Sequence, residues 1–174
     1  GEKASGLIED ANGSIEELSG SLQRVAGENY GDYNITLGTL GNANYEIRFT
    51  SAKFSILRKA LYAYIADENL TKVYDGKTPS ISAYTLYESR DSGATEYTAQ
   101  NVSDLITFSF DGGSKNFGVY RVNVSINSNN YSIALYNQDG YAYSIERRVI
   151  AITESEYYDI PNNLEYKGSA YNFY

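Results

Sequence analysis

The 174-residue sequence predicts a mainly β protein: tandem small antiparallel-sheet domains with one short helix per repeat. Three observations point there. Apolar and polar residues alternate over short stretches such as Tyr33, Ile35, Leu37 and Tyr45, Ile47, Phe49, the pattern of half-buried strands. The aromatic residues are 19 Tyr and 6 Phe with no Trp, and Tyr suits a strand that buries its ring and leaves its hydroxyl in water. A long block also recurs. Gly31-Asp32-Tyr33, Asn44-Tyr45-Glu46-Ile47 and Phe54-Ser55-Ile56-Leu57-Arg58-Lys59 return as Gly118-Val119-Tyr120, Asn130-Tyr131-Ser132-Ile133 and Tyr143-Ser144-Ile145-Glu146-Arg147-Arg148. A repeated order of this kind marks a repeat architecture.

Taken in order, Ser14-Ile15-Glu16-Glu17-Leu18 offers an N-cap Ser and a Glu three positions on, with Gly20 as a stop, which predicts one or two helical turns. Asn101-Val102-Ser103-Asp104-Leu105 repeats that cap. Ser21 to Val25 is predicted extended, Gly27 to Gly31 turning, and Tyr33 to Leu37 a strand. Gly38 to Ala43 is a loop, after which Tyr45 to Phe49 and Phe54 to Ile56 are predicted to form a β-hairpin. In the second copy Asn137-Gln138-Asp139-Gly140 is the expected hairpin turn. Ala60 to Ile65 follows the basic pair as a further strand, and Lys72-Val73-Tyr74 runs into the Asp75-Gly76 turn. Ile81 to Tyr87 resumes an extended pattern, and Glu88 to Thr95 is the expected exposed loop.

Composition narrows the chemistry. The formal net charge is −8, which gives no steering toward nucleic acid or an anionic membrane surface. No apolar run approaches the ~20 residues that span a bilayer, so no membrane insertion is expected. His and Cys are absent, which removes the commonest general base, the commonest metal ligand and the strongest nucleophile. The expectation is therefore no enzyme, no cofactor and no metal site.

The phase of the repeat divides the chain into residues 1–59, the later part of a first repeat; 60–148, a complete second repeat; and 149–174, the opening strands of a third. The chain reads as a piece of something longer, cut out of phase. Strands 149–174 are expected to complete the first unit by strand exchange, within the chain or with a neighbour, because missing strands leave unpaired backbone edges.

Ser19-Gly20-Ser21-Leu22-Gln23-Arg24 with Gly27-Glu28, Gly31-Asp32-Tyr33-Asn34-Ile35 and Asn44-Tyr45-Glu46-Ile47 resembles the MBG-type repeats of large bacterial surface proteins, patterned G-x-L-x-R, G-E-x-x-G-x-Y-x-I, N-Y-x-I. Lys72-Val73-Tyr74-Asp75-Gly76-Lys77-Thr78 is similar to the K-x-Y-D-G-x-T signature of YDG-type repeats. The central copy departs from the pattern at Asp111-Gly112-Gly113-Ser114-Lys115. The resemblance implies an extracellular module of a bacterial cell-wall or cell-surface protein, used in stalks and adhesins. Its partners would be neighbouring repeats of the same chain, with host glycan or mucin as a further candidate. It carries over no consensus ligand residues.

Candidate ligand contacts are Tyr157, Tyr158, Tyr166 and Tyr171 in the aromatic C-terminal stretch, since an exposed Tyr can stack on a sugar ring, although sheet packing is the more ordinary use of Tyr. Asp67-Glu68-Asn69 and Asn137 to Asp139 lack the dense oxygen alternation of a calcium loop. Glu16-Glu17 and Glu154 with Glu156 are expected to be surface charge rather than a glycosidase pair. Lys59, Lys72 and Lys115 lie near predicted strands, where an isopeptide bond to Asn is conceivable. The order of elements favours a β-grasp-like fold, with an immunoglobulin-like sandwich as the alternative. The leading function is a non-enzymatic spacer or adhesion module; the alternatives are a glycan- or mucin-binding module and an accessory domain of a carbohydrate-active enzyme.

Overall fold

A computed structural model describes residues 6–98, 101–113 and 115–151. It is mainly β, in several small sheets. The first sheet has the order β1-β2-β3, from Gln23–Arg24, Gly31–Thr36 and Lys53–Ile56. Next in sequence come β4 (Lys59–Tyr64), β5 (Thr71–Val73), β6 (Thr85–Tyr87), β7 (Ile106–Phe110), β8 (Gly118–Ile126), β9 (Tyr131–Leu135) and β10 (Ala142–Glu146). They form two further sheets, ordered β6-β4-β9 and β5-β10-β8-β7.

The recurring block adopts the same pairing twice. Gly31 lies opposite Ile56 and Tyr33 opposite Phe54; Gly118 lies opposite Ile145 and Tyr120 opposite Tyr143. In each copy the Tyr two residues after the glycine donates its hydroxyl back to a backbone carbonyl, Tyr33 to Asn29 at 2.7 Å and Tyr120 to Asn116 at 2.8 Å. The glycine takes φ of 152° and 156° in the two copies, an extended, left-handed region that side chains rarely adopt. The flanking strand is shifted by one residue, because Arg24 faces Ile35 whereas Phe110 faces Val122. The connection from that strand to the glycine is therefore one residue longer in the second copy.

Several expectations are corrected. Ser14 to Leu18 contains no helix: Ile15 bridges to Glu9, and the Ser14 amide donates to Asp10 Oδ1 at 2.8 Å in a tight turn. Glu16, the expected capping partner, accepts instead from the Asn44 carboxamide at 2.7 Å. Five residues do not repay the cost of helix nucleation when such partners compete. In the second copy the cap collapses to a single 3-10 turn, Ser103–Leu105, anchored by buried Val102. No α-helix is present among the described residues, so nothing there crosses a sheet as a β-grasp helix does.

The β1-β2-β3 sheet is antiparallel as expected, but the other two are mixed, since β4 runs parallel to β9 and β5 parallel to β10. The expected hairpins are absent as well. Strand β9 pairs with β4 while β10 pairs with β8 and β5, so the Asn137 to Gly140 turn carries the chain from one sheet to the other. Tyr45 to Phe49 is not a strand, and β3 pairs back onto β2. Alternation marks a half-buried extended segment but does not name its partner.

The core lies between β6-β4-β9 and β5-β10-β8-β7. Leu61, Ala63, Leu86 and Val102 form one buried group, against which Phe108, Val124 and Ile133 pack. Ile65, Leu70, Val122, Tyr143 and Ile145 form the other. Tyr84 and Phe108 touch both groups and each other, with rings edge to face at 5.0 Å. Along β4 the inward Leu61 and Ala63 alternate with outward Tyr62 and Tyr64, as the pleat requires.

Candidate functional site

The outward side of β4 carries the richest side-chain constellation. Tyr62 faces Tyr87 across the β4–β6 ladder, and Tyr136 sits just past β9, its amide donating to the Ala63 carbonyl at 2.8 Å. Tyr64, Tyr87 and Tyr136 make a three-ring cluster with centroid distances of 6.3, 5.8 and 5.1 Å, two of the contacts edge to face. Such contacts contribute about 0.5–1.5 kcal/mol each beyond area burial. The Arg90 guanidinium lies 4.5 Å from the Tyr62 ring centroid and donates to the Leu135 and Tyr136 carbonyls at 2.7 and 3.0 Å. It thereby ties the loop after β6 to the end of β9.

A groove of about 470 Å³ opens beside this cluster, lined in part by Tyr64, Asp67, Arg90, Tyr136, Gln138 and Tyr141. Tyr64 is 41% exposed, so part of its ring faces water. Burial pushes the Tyr141 phenol above its ordinary value, partly offset by hydrogen bonds with the Ile65 and Asn137 backbone. The arrangement presents aromatic surface beside amide and carboxylate groups. It offers no nucleophile paired to a base, and no group of three or more acidic side chains able to hold a metal ion occurs among the described residues.

A second constellation joins the first sheet to the rest. The Asn130 carboxamide accepts from the Tyr30 amide at 2.8 Å and donates to Asn29 Oδ1 at 2.9 Å, while the Asn130 carbonyl accepts from the Lys59 amide at 2.9 Å. The Arg58 guanidinium stacks on Tyr30 at 4.5 Å. The same stack recurs at the corresponding place in the second copy, Arg147 on Phe117 at 4.4 Å. Next to the joint, Lys59 pairs with Glu88 at 2.6 Å and lies over the Tyr97 ring. The Tyr97 hydroxyl meets that of Tyr131 at 2.9 Å, a bond that, with burial, pushes the Tyr97 phenol up to about 12.

The remaining motif residues have structural work. Lys72 Nζ donates to Asp75 Oδ1 at 2.8 Å and to the Lys77 and Thr78 carbonyls at 2.7 and 3.1 Å. Asp75 Oδ1 also accepts from the Lys77 amide at 2.9 Å, and Gly76 supplies φ of 77°. The K-x-Y-D-G-x-T pattern is thus a stapled turn, and its lysine holds the Asp75 carboxyl below its ordinary value. Lys59 and Lys72 are engaged with oxygen acceptors, and among the described residues no Asn side chain is their partner. Asn137 closes its own turn by accepting from the Asp139 amide at 3.1 Å.

Tyr157, Tyr158, Tyr166, Tyr171 and the pair Glu154 and Glu156 lie outside the described residues. The Tyr62, Tyr64, Tyr87, Tyr136 and Arg90 group was not singled out from the sequence. Its only sequence signal is the Tyr62-x-Tyr64 alternation; the other members arrive from loops and strands far along the chain.

The described residues thus form a mainly β body whose motif residues staple turns and joints. Residues 3–55 match the family model of the MBG domain (YGX type), which is the MBG-type repeat expected of that segment. Comparison with the curated proteins and with the solved structures returns no match.

Proposed function

We propose that this chain is a tandem, non-enzymatic spacer or adhesion module of a bacterial surface protein, the MBG-type unit of residues 3–55 being followed by a second unit of the same plan. The observation that carries the reading is the repeated geometry of the motif. The Gly-x-Tyr strand, its register against the aromatic-Ser-Ile strand and the Arg-on-aromatic stack recur together. A feature conserved in geometry between units, and built of groups with no evident chemistry, is what stacking of one unit on the next demands. Small-angle scattering on chains of two, three and four covalently joined units tests it. The maximum dimension should rise in equal steps, whereas a rise as the square root of unit number, as for flexible linkers, would overturn the reading. Labelling of intact cells with an antibody to the module tests the surface location.

A second reading rests on the β4 face: a glycan stacked on Tyr64 and Tyr136, with its hydroxyls on Asp67, Gln138 and Arg90 in the groove. Titration with mucin oligosaccharides should perturb the NMR signals of Tyr64 and Tyr136, and Tyr64→Ala should abolish the effect. Unchanged spectra at ~10 mM sugar, where even very weak binding registers, would eliminate it.

A further inference from the structure

We propose that two copies of this chain join head to tail, Arg148 to Ala151 of one copy adding as a parallel strand beside Tyr45 to Arg48 of the next. The template is inside the molecule. The strand following the basic pair Arg58-Lys59 runs parallel to the strand opened by Asn130-Tyr131, with Lys59 beside Tyr131, Ala60 beside Ser132 and Leu61 beside Ile133. Both halves of that pairing occur a second time. Arg147-Arg148 is followed by Val149-Ile150-Ala151, and Asn44-Tyr45-Glu46-Ile47 repeats Asn130-Tyr131-Ser132-Ile133. Among the described residues neither half is in a strand. Val149 is 91% and Ile150 68% exposed, whereas Leu61, the counterpart of Ile150, is 1% exposed.

The surroundings match as well. Arg147 already stacks on Phe117 as Arg58 stacks on Tyr30. An apolar hollow of about 460 Å³ lies there, lined by Tyr74, Phe117, Arg147, Arg148 and Ile150. At the internal joint Asn130 supplies an acceptor to the Tyr30 amide; Asn44 of the next copy would supply its carbonyl oxygen to the Phe117 amide, its Nδ2 being engaged with Glu16. Strand addition gives cross-strand main-chain hydrogen bonds to two segments that, among the described residues, belong to no sheet. The register follows: Arg148 beside Tyr45, Val149 beside Glu46, Ile150 beside Ile47, Ala151 beside Arg48.

The two halves belong to opposite ends. Tyr30 precedes the first residue of β2, whereas the Ser19–Gly41 bridge that leads into Asn44-Tyr45 lies beyond its last, so the two sit toward opposite ends of that strand. In the second copy β8 likewise separates Phe117, before its first residue, from Asn130 of the joint, after its last. Joining such ends is a heterologous contact, which propagates into open chains rather than closed dimers. The inference rests on the repeat reading above; that reading is tested on covalently joined units and survives if free chains stay single.

The protein has no Cys, so one chain carrying both Glu46→Cys and Val149→Cys reports the register on a non-reducing gel. A ladder of dimers and higher species is expected, with at least about tenfold less from Glu46→Cys with Ile150→Cys, which is one residue out and points to opposite faces. An internally cross-linked monomer, or equal ladders from both pairs, would overturn the proposal. The unmodified chain gives an independent reading. Its mass by sedimentation equilibrium should climb with concentration and Ile150→Asp, a change at an exposed position, should return it to that of one chain. A constant single-chain mass up to ~1 mM would overturn the proposal too.

Discussion

The two Gly-x-Tyr sheets of this molecule share a register and differ in what covers them. In the second unit Tyr143 is 4% exposed, with Phe110 edge-on to it at 5.3 Å. In the first unit the corresponding Phe54 is 46% exposed, and the residue beside it is Arg24, whose guanidinium lies 5.3 Å from the Phe54 and Tyr33 rings. Arg24 also bonds the Gly27 carbonyl and Glu28. Where Val119 faces Ser144 in one sheet, Asp32 in the other accepts from Ser55 at 2.6 Å. None of the described residues before β4 is buried, and every buried residue among those described lies between Leu61 and Ile145. Local pairing is therefore carried by the motif itself. A core requires the strand that enters after the basic pair, because only then does a second sheet close over the first.

The largest effect that would sharpen this contrast is Leu61→Ala. Removing a fully buried side chain from β4 should destabilise the second unit by about 2–5 kcal/mol, whereas Phe54→Ala should cost well below that range; chemical denaturation of the two variants measures the gap. If Phe54→Ala proved as costly as Leu61→Ala, the first sheet would have to be closed by something beyond the described residues. Next is Asn130→Ala, which removes two hydrogen bonds across the joint, each worth about 0.5–1.5 kcal/mol. It should leave both sheets folded and broaden the distribution of inter-unit distances between spin labels.

A smaller pair of changes compares the motif with itself. Tyr120→Phe and Tyr33→Phe each delete a bond to a backbone carbonyl, so both should lose up to about 1 kcal/mol, and native-state hydrogen exchange should quicken in β8 and β2 respectively. Equal losses would assign the motif the same role in both units. The smallest effect is pH-dependent. The Tyr97 phenol, pushed up to about 12 by its bond with Tyr131, holds its proton more firmly folded than unfolded. Its contribution is complete below about pH 10 and is lost as pH rises toward 12, since the unfolded chain then binds fewer protons. Tyr97→Phe should flatten that part of the stability curve; an unchanged alkaline slope would remove Tyr97 from the account.

Strand existence was legible in the sequence: the segments expected around Tyr33, Phe54, Ala60 to Ile65 and Lys72 overlap β2, β3, β4 and β5 to within one or two residues at their starts. The helix cap at Ser14 was misleading because Asp10 and Asn44, neither part of the cap pattern, took its partners. The hairpin at Tyr45 was misleading because its alternation is that of a strand whose partner, in the second unit, lies some 70 residues away in β4. The ring cluster at Tyr64, Tyr87 and Tyr136 was invisible for the same reason, its members being separated in sequence and joined only by the β4 ladders.

By itself the sequence determined what depends on neighbours along the chain: a mainly β composition, the Asp75-Gly76 turn, and the Gly-x-Tyr block that recurs with its basic pair. Each is set by short-range sterics and hydrogen bonds that a few adjacent residues specify. The tertiary structure alone decided which strands share a sheet, that β4 and β9 run parallel, and that among the described residues a closed core forms around β4 while the first sheet has no buried residue. Those outcomes depend on burying apolar faces contributed from distant parts of the chain, and a period of two is blind to which distant face that is.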